Sequence, residues 1–373
     1  MRILILSASY GSGHAEAARS LAAVVEARGG RAMVVDHFRE LVHPVFASAS
    51  RAIYYWLLRR APGVWALAYG LGDRLGPESP LALGLPQLGT ERLARLLDTM
   101  RPDAVITVHA TPAAAMAALA RGGRPLPPHT TAVTDFVAHS QWMPRPVDRY
   151  CVAAEEVRNE FVARGIQPER VVVTGVPVHG DFSRVVDTAA ARRALGLAAE
   201  LPTIVAMAGT QGSLGRLDDI TGALLRMERQ MQAVVVAGRD EPLRARLARA
   251  AEGSPVRVVG YVADVRTLLA AADLLVTKAG GMTLAEATAA EVPLLLYGSL
   301  PGQERGNEGF ASRAGIALVA RSRGELGGLL DRALGDEATI ERLQGSLRRL
   351  ARPGAARDIV DLVTEQIAQR GRP

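Results

Sequence analysis

Short apolar runs alternate with stretches of helical periodicity along this chain, and the alternating series occurs twice. In the first series, strands are expected at Arg2–Ala8, Ala32–Val35, Ala104–Val108, Thr130–Val133, Tyr150–Ala153 and Val171–Thr174. A helical pattern from His14 to Arg28 follows the first of these and ends at Gly29-Gly30. The second series begins after Pro202, with strands at Thr203–Ala208, Ala233–Ala237, Val256–Val259, Leu274–Thr277 and Leu294–Tyr297. Short buried strands separated by helices predict parallel sheets covered on both faces. A chain of 373 residues also exceeds what one hydrophobic core usually supports. The expected fold class is α/β, with two doubly wound, Rossmann-like domains facing a central cleft. Their join is placed within Val176–Pro202, where Pro177, Gly180 and Pro202 interrupt the periodicity.

Composition removes several function classes. Apolar residues at 49% and charged residues at 22% exclude a disordered chain. A net charge of +6 is too mild for a nucleic-acid binder, so no nucleic-acid partner is expected. The single cysteine, Cys151, excludes an intramolecular disulfide and a Cys-rich metal site. The apolar start Met1–Ser7 is too short for a signal-peptide core, and the longest uncharged stretch, Ala104–Ala120, is too short for a membrane span. These features point to a cytoplasmic protein that touches a membrane, if at all, from one side.

One segment departs from the alternating pattern. Leu41–Gly72 holds no acidic residue but carries Arg51, Arg59 and Arg60, together with Phe46, Tyr54, Tyr55, Trp56, Trp65 and Tyr69. Aromatic rings and arginines on a non-acidic segment suit the headgroup layer of an anionic membrane. The same content also describes a pair of core helices with aromatic packing, and the sequence does not choose between the two.

Open α/β sheets bind ligands at the C-terminal ends of their strands. Gly11-Ser12-Gly13-His14 follows the first strand and opens a helix, where free N–H groups and the positive dipole end disfavour a protonated His14. The second domain offers Ala208–Gly215, with Gly209, Thr210 and Gln211, and Thr277–Thr283, with Lys278, Gly280, Gly281 and Thr283. A diphosphate fits the Gly280-Gly281 amides, and Glu286, one turn into the next helix, is placed to accept ribose hydroxyls. The loop Pro301–Asn307 clusters Gln303, Glu304 and Asn307, a set suited to reading the hydroxyls of a sugar. Together these loops favour a nucleotide-sugar over isolated structural turns.

The residues Thr277-Lys278-Ala279-Gly280-Gly281, Glu286 and Pro301-Gly302-Gln303-Glu304 with Asn307 resemble the donor signature of family 28 glycosyltransferases. In the N-terminal half, Gly13-His14, Val133-Thr134-Asp135-Phe136 with His139 and Trp142, and Thr174-Gly175-Val176-Pro177-Val178 resemble the diacylglycerol glycosyltransferases of the monogalactosyldiacylglycerol synthase and processive glucosyltransferase type. The resemblance implies a GT-B fold and inverting transfer of a hexose from a UDP-sugar to diacylglycerol or a glycosyl-diacylglycerol, with no metal or other cofactor. It places the lipid acceptor and membrane contact on residues 1–178 and the UDP-sugar on 179–373, with the last helix able to pack back on the first domain. It also implies that uracil meets the backbone at Tyr261-Val262, and that the enzyme is attached peripherally to the inner face of the cell membrane. Ala279 departs from the family, where proline is common, and a slightly altered turn is expected.

Inversion needs a base on the acceptor hydroxyl and stabilisation of the leaving diphosphate. His14 is ranked first as base or acceptor-orienting group and Asp135 second, because an imidazole has the better-matched pKa. His139 and Trp142 are expected to shape the acceptor site, with Trp142 equally readable as core. Gly13, Tyr54, Tyr55, Trp56, Arg59, Arg60 and Trp65 are assigned to the acceptor and membrane side. Lys278 either neutralises phosphate or pairs with a surface carboxylate. Two alternatives share the architecture: a UDP-N-acetylglucosamine transferase acting on a polyprenyl-linked peptidoglycan precursor, and a UDP-sugar 2-epimerase. Glucose and galactose are not distinguished, nor is single from processive transfer.

Overall fold

The computed structural model describes residues 1–8, 12–77, 79, 88–184, 186–209 and 216–370, and the chain divides into two compact units. The first contains Met1–Gly180, Pro301–Gln303 and the C-terminal part from Arg352. Its elements are β1 (Arg2–Ser7), α1 (Ser12–Ala27), β2 (Arg31–Asp36), α2 (Pro44–Arg60), α3 (Pro62–Leu75), α4 (Thr90–Met100), β3 (Ala104–Thr107), α5 (Ala110–Arg121), β4 (His129–Ala132), β5 (Arg149–Val152), α6 (Glu155–Ala163) and β6 (Val171–Val173). The strands form one parallel sheet in the order β2-β1-β3-β4-β5-β6.

The second unit contains Asp181–Leu300 and Glu304–Ala351. It runs α7 (Thr188–Ala194), β7 (Thr203–Met207), α8 (Leu217–Leu224), β8 (Gln232–Val236), α9 (Glu241–Ala250), β9 (Val256–Val259), α10 (Val265–Ala270), β10 (Leu274–Thr277), α11 (Gly281–Ala289), β11 (Leu294–Tyr297), α12 (Gln303–Arg313, whose first residue clusters with the first unit), β12 (Ala317–Ala320), α13 (Arg323–Gly335) and α14 (Glu337–Leu350). These strands form a second parallel sheet, β12-β11-β10-β7-β8-β9. The expected strands are all present within a residue or two of their ends, and β12 is added to them. The cluster Gln303, Glu304 and Asn307, expected in a loop, instead lies on the first turns of α12.

Why the strands are buried on both faces is plain from their residues. Every residue of β3, β7, β8, β10 and β11 is buried, and Val, Ile, Leu and Ala make up most of each run. β4 is buried as well but is polar, His129-Thr130-Thr131-Ala132. Its side chains are satisfied internally: Thr107 Oγ1 lies 3.0 Å from both His129 Nε2 and Thr131 Oγ1. Burial pushes the His129 pKa down to about 4, so the ring is neutral.

The last helix, α15 (Ala355–Arg370), belongs with the first unit and packs on α1. Ile359, Val360 and Val363 form its buried stripe. Polar ties add to this: Thr130 Oγ1 donates to Gln366 Oε1 at 2.7 Å, and Arg28 Nη1 pairs with Asp361 Oδ1 at 2.6 Å. Where the chain enters this helix it passes so close to Gly175 (φ +86°) that a Cβ there would lie 2.5 Å from Arg352 Cβ. Both the positive φ and the missing Cβ are therefore required at that position. Gly175→Ala is expected to destabilise the protein by about 1–3 kcal/mol. A urea midpoint equal to that of the wild type would contradict the close approach.

Candidate active site

In the first sheet, β1 leads outward to β2 while β3 lies on its other side, so the winding reverses between β1 and β3. A crevice at the C-terminal ends of such a strand pair is where open sheets hold ligands. His14, in the first turn of α1, and Val108-His109, directly after β3, both lie there. His14 Nδ1 is 2.9 Å from the Val108 carbonyl oxygen and 3.0 Å from Thr134 Oγ1. A carbonyl only accepts, so this partner assigns the hydrogen to Nδ1 and leaves Nε2 with the lone pair. Nε2 has no hydrogen-bond partner among the described residues. Burial lowers the His14 pKa below its usual 6.5, against the opposing charge of Asp135 and the Val108 hydrogen bond. The direction is the one expected from the helix terminus, but its largest cause is desolvation.

Asp135 is buried, and each of its oxygens is engaged. Oδ2 accepts the Trp142 indole N–H at 3.0 Å, and Oδ1 accepts from the Gln303 side-chain amide, which clusters with this unit. Trp142 packs with Val133, Tyr150, Val152 and Phe161, so it is a core residue whose polar edge holds Asp135. His139 uses both ring nitrogens. Nδ1 accepts the Gln141 N–H at 3.2 Å, and Nε2–H donates to the Tyr69 carbonyl at 3.0 Å. Its ring also lies against Tyr69, 4.1 Å between centroids.

This histidine is one of several ties between α3 and the loop 139–141. The Ser140 N–H donates to Asp73 Oδ1 at 2.7 Å, while Ser140 Oγ and Gln141 Nε2 donate to the Gly72 carbonyl at 3.2 and 3.0 Å. Arg164 grips the same Asp73 with both guanidinium nitrogens, at 2.7 and 3.3 Å. Partial burial acts to raise the Asp73 pKa, but the Arg164 and Ser140 hydrogen bonds outweigh it and hold the carboxyl below its usual range.

The aromatic segment forms α2 and α3, which pack through Tyr54 and Trp65 with rings 4.9 Å apart and nearly perpendicular. Tyr54, Tyr55 and Trp65 are half-buried, while Arg59 and Arg60 are exposed. The core-helix reading is corrected here. Among the described side chains of the two helices only Leu58 is buried, whereas Val45, Ile53, Trp56, Val64, Leu67, Leu71 and Leu75 are exposed, Trp56 to 59%. No helix among the described residues is long and apolar enough to cross a membrane.

In the second sheet the winding reverses between β7 and β10. Gly209 (φ +75°) follows β7, and Lys278-Ala279-Gly280 follows β10 and leads into α11. Thr210 and Gln211 lie outside the described residues. Gly280 is the N-cap of α11 and has no side chain to satisfy the first-turn N–H groups, which leaves them for an anion. Gly281, Thr283 and Glu286 occupy the first two turns, each half-exposed. Ala279 is buried, and its N–H donates to Ser299 Oγ at 3.2 Å, a bond that the proline common in the family has no hydrogen to make.

Lys278 Nζ pairs with Glu304 Oε1, while Glu304 Oε2 accepts the Leu300 N–H at 2.8 Å. The surface-carboxylate reading of Lys278 is corrected accordingly, because both side chains are mostly buried and the partner belongs to the expected sugar-reading set. Asn307 is fully buried and donates to the Ala279 carbonyl at 3.2 Å, bracing the turn after β10. Tyr261 is exposed, with the Arg239 guanidinium 4.7 Å above its ring, and Val262 is half-buried beside it. Among the described residues no group of three or more His, Cys, Asp or Glu is placed to hold a metal ion.

Sequence reasoning misses His109. It caps α5, its Nδ1 accepting the Thr111 N–H at 3.1 Å, and meets His14 edge-on with centroids 4.7 Å apart. Burial, and then the nearness of His14 and His37, holds its pKa well below the usual value. Thr134, adjacent to the expected Asp135, is likewise assigned no role by its residue type alone.

Residues 14–178 match the monogalactosyldiacylglycerol synthase family model, and residues 203–302 match the glycosyltransferase family 28 C-terminal domain. A processive diacylglycerol beta-glucosyltransferase of Bacillus thuringiensis is 30% identical over 368 residues, covering 98% of this chain and 94% of that protein. Among solved structures, MurG of Acinetobacter baumannii has a TM-score of 0.64 at 17% identity, covering 98% of this chain and 99% of its own. A UDP-GlcNAc 2-epimerase from Neisseria meningitidis has a TM-score of 0.62 at 13% identity, covering 98% and 100%. Those likenesses establish an α/β fold of the GT-B kind and do not separate transferase from epimerase, whereas the sequence matches do. The chain belongs to the family 28 glycosyltransferases of the monogalactosyldiacylglycerol synthase and processive diacylglycerol glucosyltransferase type.

Proposed function

We propose that this protein transfers glucose or galactose from a UDP-sugar to the hydroxyl of diacylglycerol or a glycosyl-diacylglycerol, with inversion, at the inner face of the cell membrane. The observation that carries the chemistry is the state of His14: Nδ1–H is held by the Val108 carbonyl, and Nε2 is basic and unpartnered among the described residues. Nε2 takes the acceptor proton as the hydroxyl attacks the anomeric carbon. Positive charge then develops on the ring, and the Asp135 carboxylate favours that charged form. Asp135 serves as electrostatic partner and not as base, since its oxygens already accept from Trp142 and Gln303. The first-turn N–H groups of α11, with Gly280, Gly281 and Thr283, hold the leaving diphosphate. Glu286 takes ribose hydroxyls, Tyr261-Val262 the uracil, and Gln303 and Glu304 the sugar, whereas the buried Asn307, expected among the sugar-reading residues, instead braces the turn after β10. No metal enters this scheme, because a helix N-terminus and an ammonium supply the positive potential.

The membrane part rests on α2 and α3. Seven exposed large apolar side chains form more than scattered surface residues, and the accompanying arginines include Arg51, Arg59 and Arg60 with no acid before Asp73. Each large apolar side chain moved out of water contributes about 1.5–3 kcal/mol, and arginines near an anionic surface add about 1 kcal/mol each.

His14→Ala is expected to lower kcat by about 10²–10⁴ with UDP binding unchanged, and Asp135→Asn by about tenfold. Because burial depresses the His14 pKa, the base stays deprotonated at neutral pH, and kcat falls only below pH 6.5. Removing the Asp135 charge, which favours the protonated ring, moves that acid limb further down. Near-normal kcat for His14→Ala together with none for Asp135→Asn would reverse the assignment. In flotation, the protein is expected to rise with vesicles containing phosphatidylglycerol and less with pure phosphatidylcholine, and Leu67→Asp with Leu71→Asp to abolish it. Equal failure to float with both would contradict the interfacial role.

A further inference from the structure

Lys278 is the chain's single lysine, and every other long cationic side chain is arginine. Its surroundings all lie within the second unit. Lys278 Nζ would be 3.7 Å from a Cβ added to Gly280, the N-cap of α11, and Cε would be 3.9 Å from one added to Gly209. The ammonium therefore stands between the glycine turns that follow β7 and β10, where the sheet reverses. It is not free there, because it is paired with Glu304, whose second oxygen is engaged by the Leu300 N–H. Side-chain exposures of 17% and 13% mean that neither partner of the pair is fully hydrated. Breaking such a pair is costly unless each charge finds a new partner.

We propose that Lys278 and Glu304 form an exchangeable pair: the donor diphosphate takes the ammonium from Glu304, and the sugar hydroxyls of the same donor satisfy the released carboxylate. This rests on the reading of the second unit as the UDP-sugar site. A ligand that brings both a diphosphate and a hexose replaces both halves of the ion pair. UDP alone replaces one half and leaves Glu304 buried without its counter-charge. The pair therefore discriminates donor from product. Once the hexose has left, Glu304 recovers Lys278 and weakens the hold on UDP, which assists product release. A lysine suits this exchange better than an arginine, being a point charge on a flexible stem with no bidentate geometry to lose. Glu304 acts on the diphosphate only through Lys278 and is in that respect a positioning residue.

The test is calorimetric titration of UDP and of uridine into wild type, Glu304→Gln, Lys278→Met and the double variant, with steady-state kinetics on the same proteins. Glutamine keeps an acceptor for the Leu300 N–H but cannot hold the ammonium by charge. Glu304→Gln is expected to bind UDP roughly three- to tenfold tighter than wild type. Uridine binding stays unchanged, which also reports an intact fold, and kcat/KM for the UDP-sugar falls. In the Lys278→Met background the gain in UDP affinity disappears. UDP binding to Glu304→Gln that is no tighter than to wild type overturns the exchange, as does an equal gain in the double variant. Failure of the wild type to bind UDP at all removes the donor reading, and the exchange with it.

Discussion

The reversal of winding in each sheet is the constraint on which the candidate residues of each unit depend. Parallel strands joined by right-handed crossovers place successive helices on one face until the direction of winding changes. At β1/β3 and at β7/β10 the connections leave in opposite directions, the arrangement at which open sheets form a ligand crevice. In the first unit this opening receives His14 from one side and Val108-His109 from the other. In the second it receives Gly209 and the Lys278–Gly280 turn. The two arrangements use the same topology for groups of different charge. One holds an uncharged imidazole with its proton committed to a carbonyl, and the other gathers an ammonium and a helix N-terminus.

The surroundings of His14 and Asp135 connect these two residues to the exposed apolar face of the same unit. Trp142 holds Asp135, and the residues just before Trp142 are tied to α3 through Tyr69, Gly72 and Asp73. These three lie on one face of α3 at helical spacing, while Val64, Leu67, Leu71 and Leu75 are exposed. One helix thus presents apolar side chains outward and anchors the Asp135–Trp142 segment inward. The Arg164 clamp on Asp73 fixes this junction with a charge-assisted bidentate contact.

Much of this is legible in the sequence because most of the buried parallel strands are predominantly apolar and glycine turns mark their ends. The exceptions have physical reasons. The strand Ala317–Ala320 carries no clear sequence signal, because a short Ala-Leu-Val-Ala run after a helix reads equally as that helix continued. The first turns of α12 read as a loop because Pro301, Gly302, Gly306 and Gly309 are poor helix residues, and packing overrides that preference, with Asn307, Phe310 and Ala311 buried. His109 is invisible because nothing local distinguishes a capping histidine from one that also abuts a second imidazole 95 residues away in the chain. The Lys278–Glu304 pair spans 26 residues, so spacing could name both residues as donor ligands but not show that each occupies the other. Composition alone leaves the aromatic segment open between exposed and buried helices, and only the exposure of its side chains excludes the buried pair.

Transfer of a hexose to diacylglycerol with inversion is the reaction proposed for this enzyme. Its most direct measurement is incubation of the purified protein with diacylglycerol vesicles and UDP-glucose or UDP-galactose, followed by mass analysis and anomeric NMR of the lipid extract. Attack by the acceptor opposite the departing UDP turns the α-linked donor into a β-linked hexosyl-diacylglycerol, and that product is the expected result. An extract free of lipid-bound sugar with both donors, or one holding the α-linked glycolipid, would contradict it.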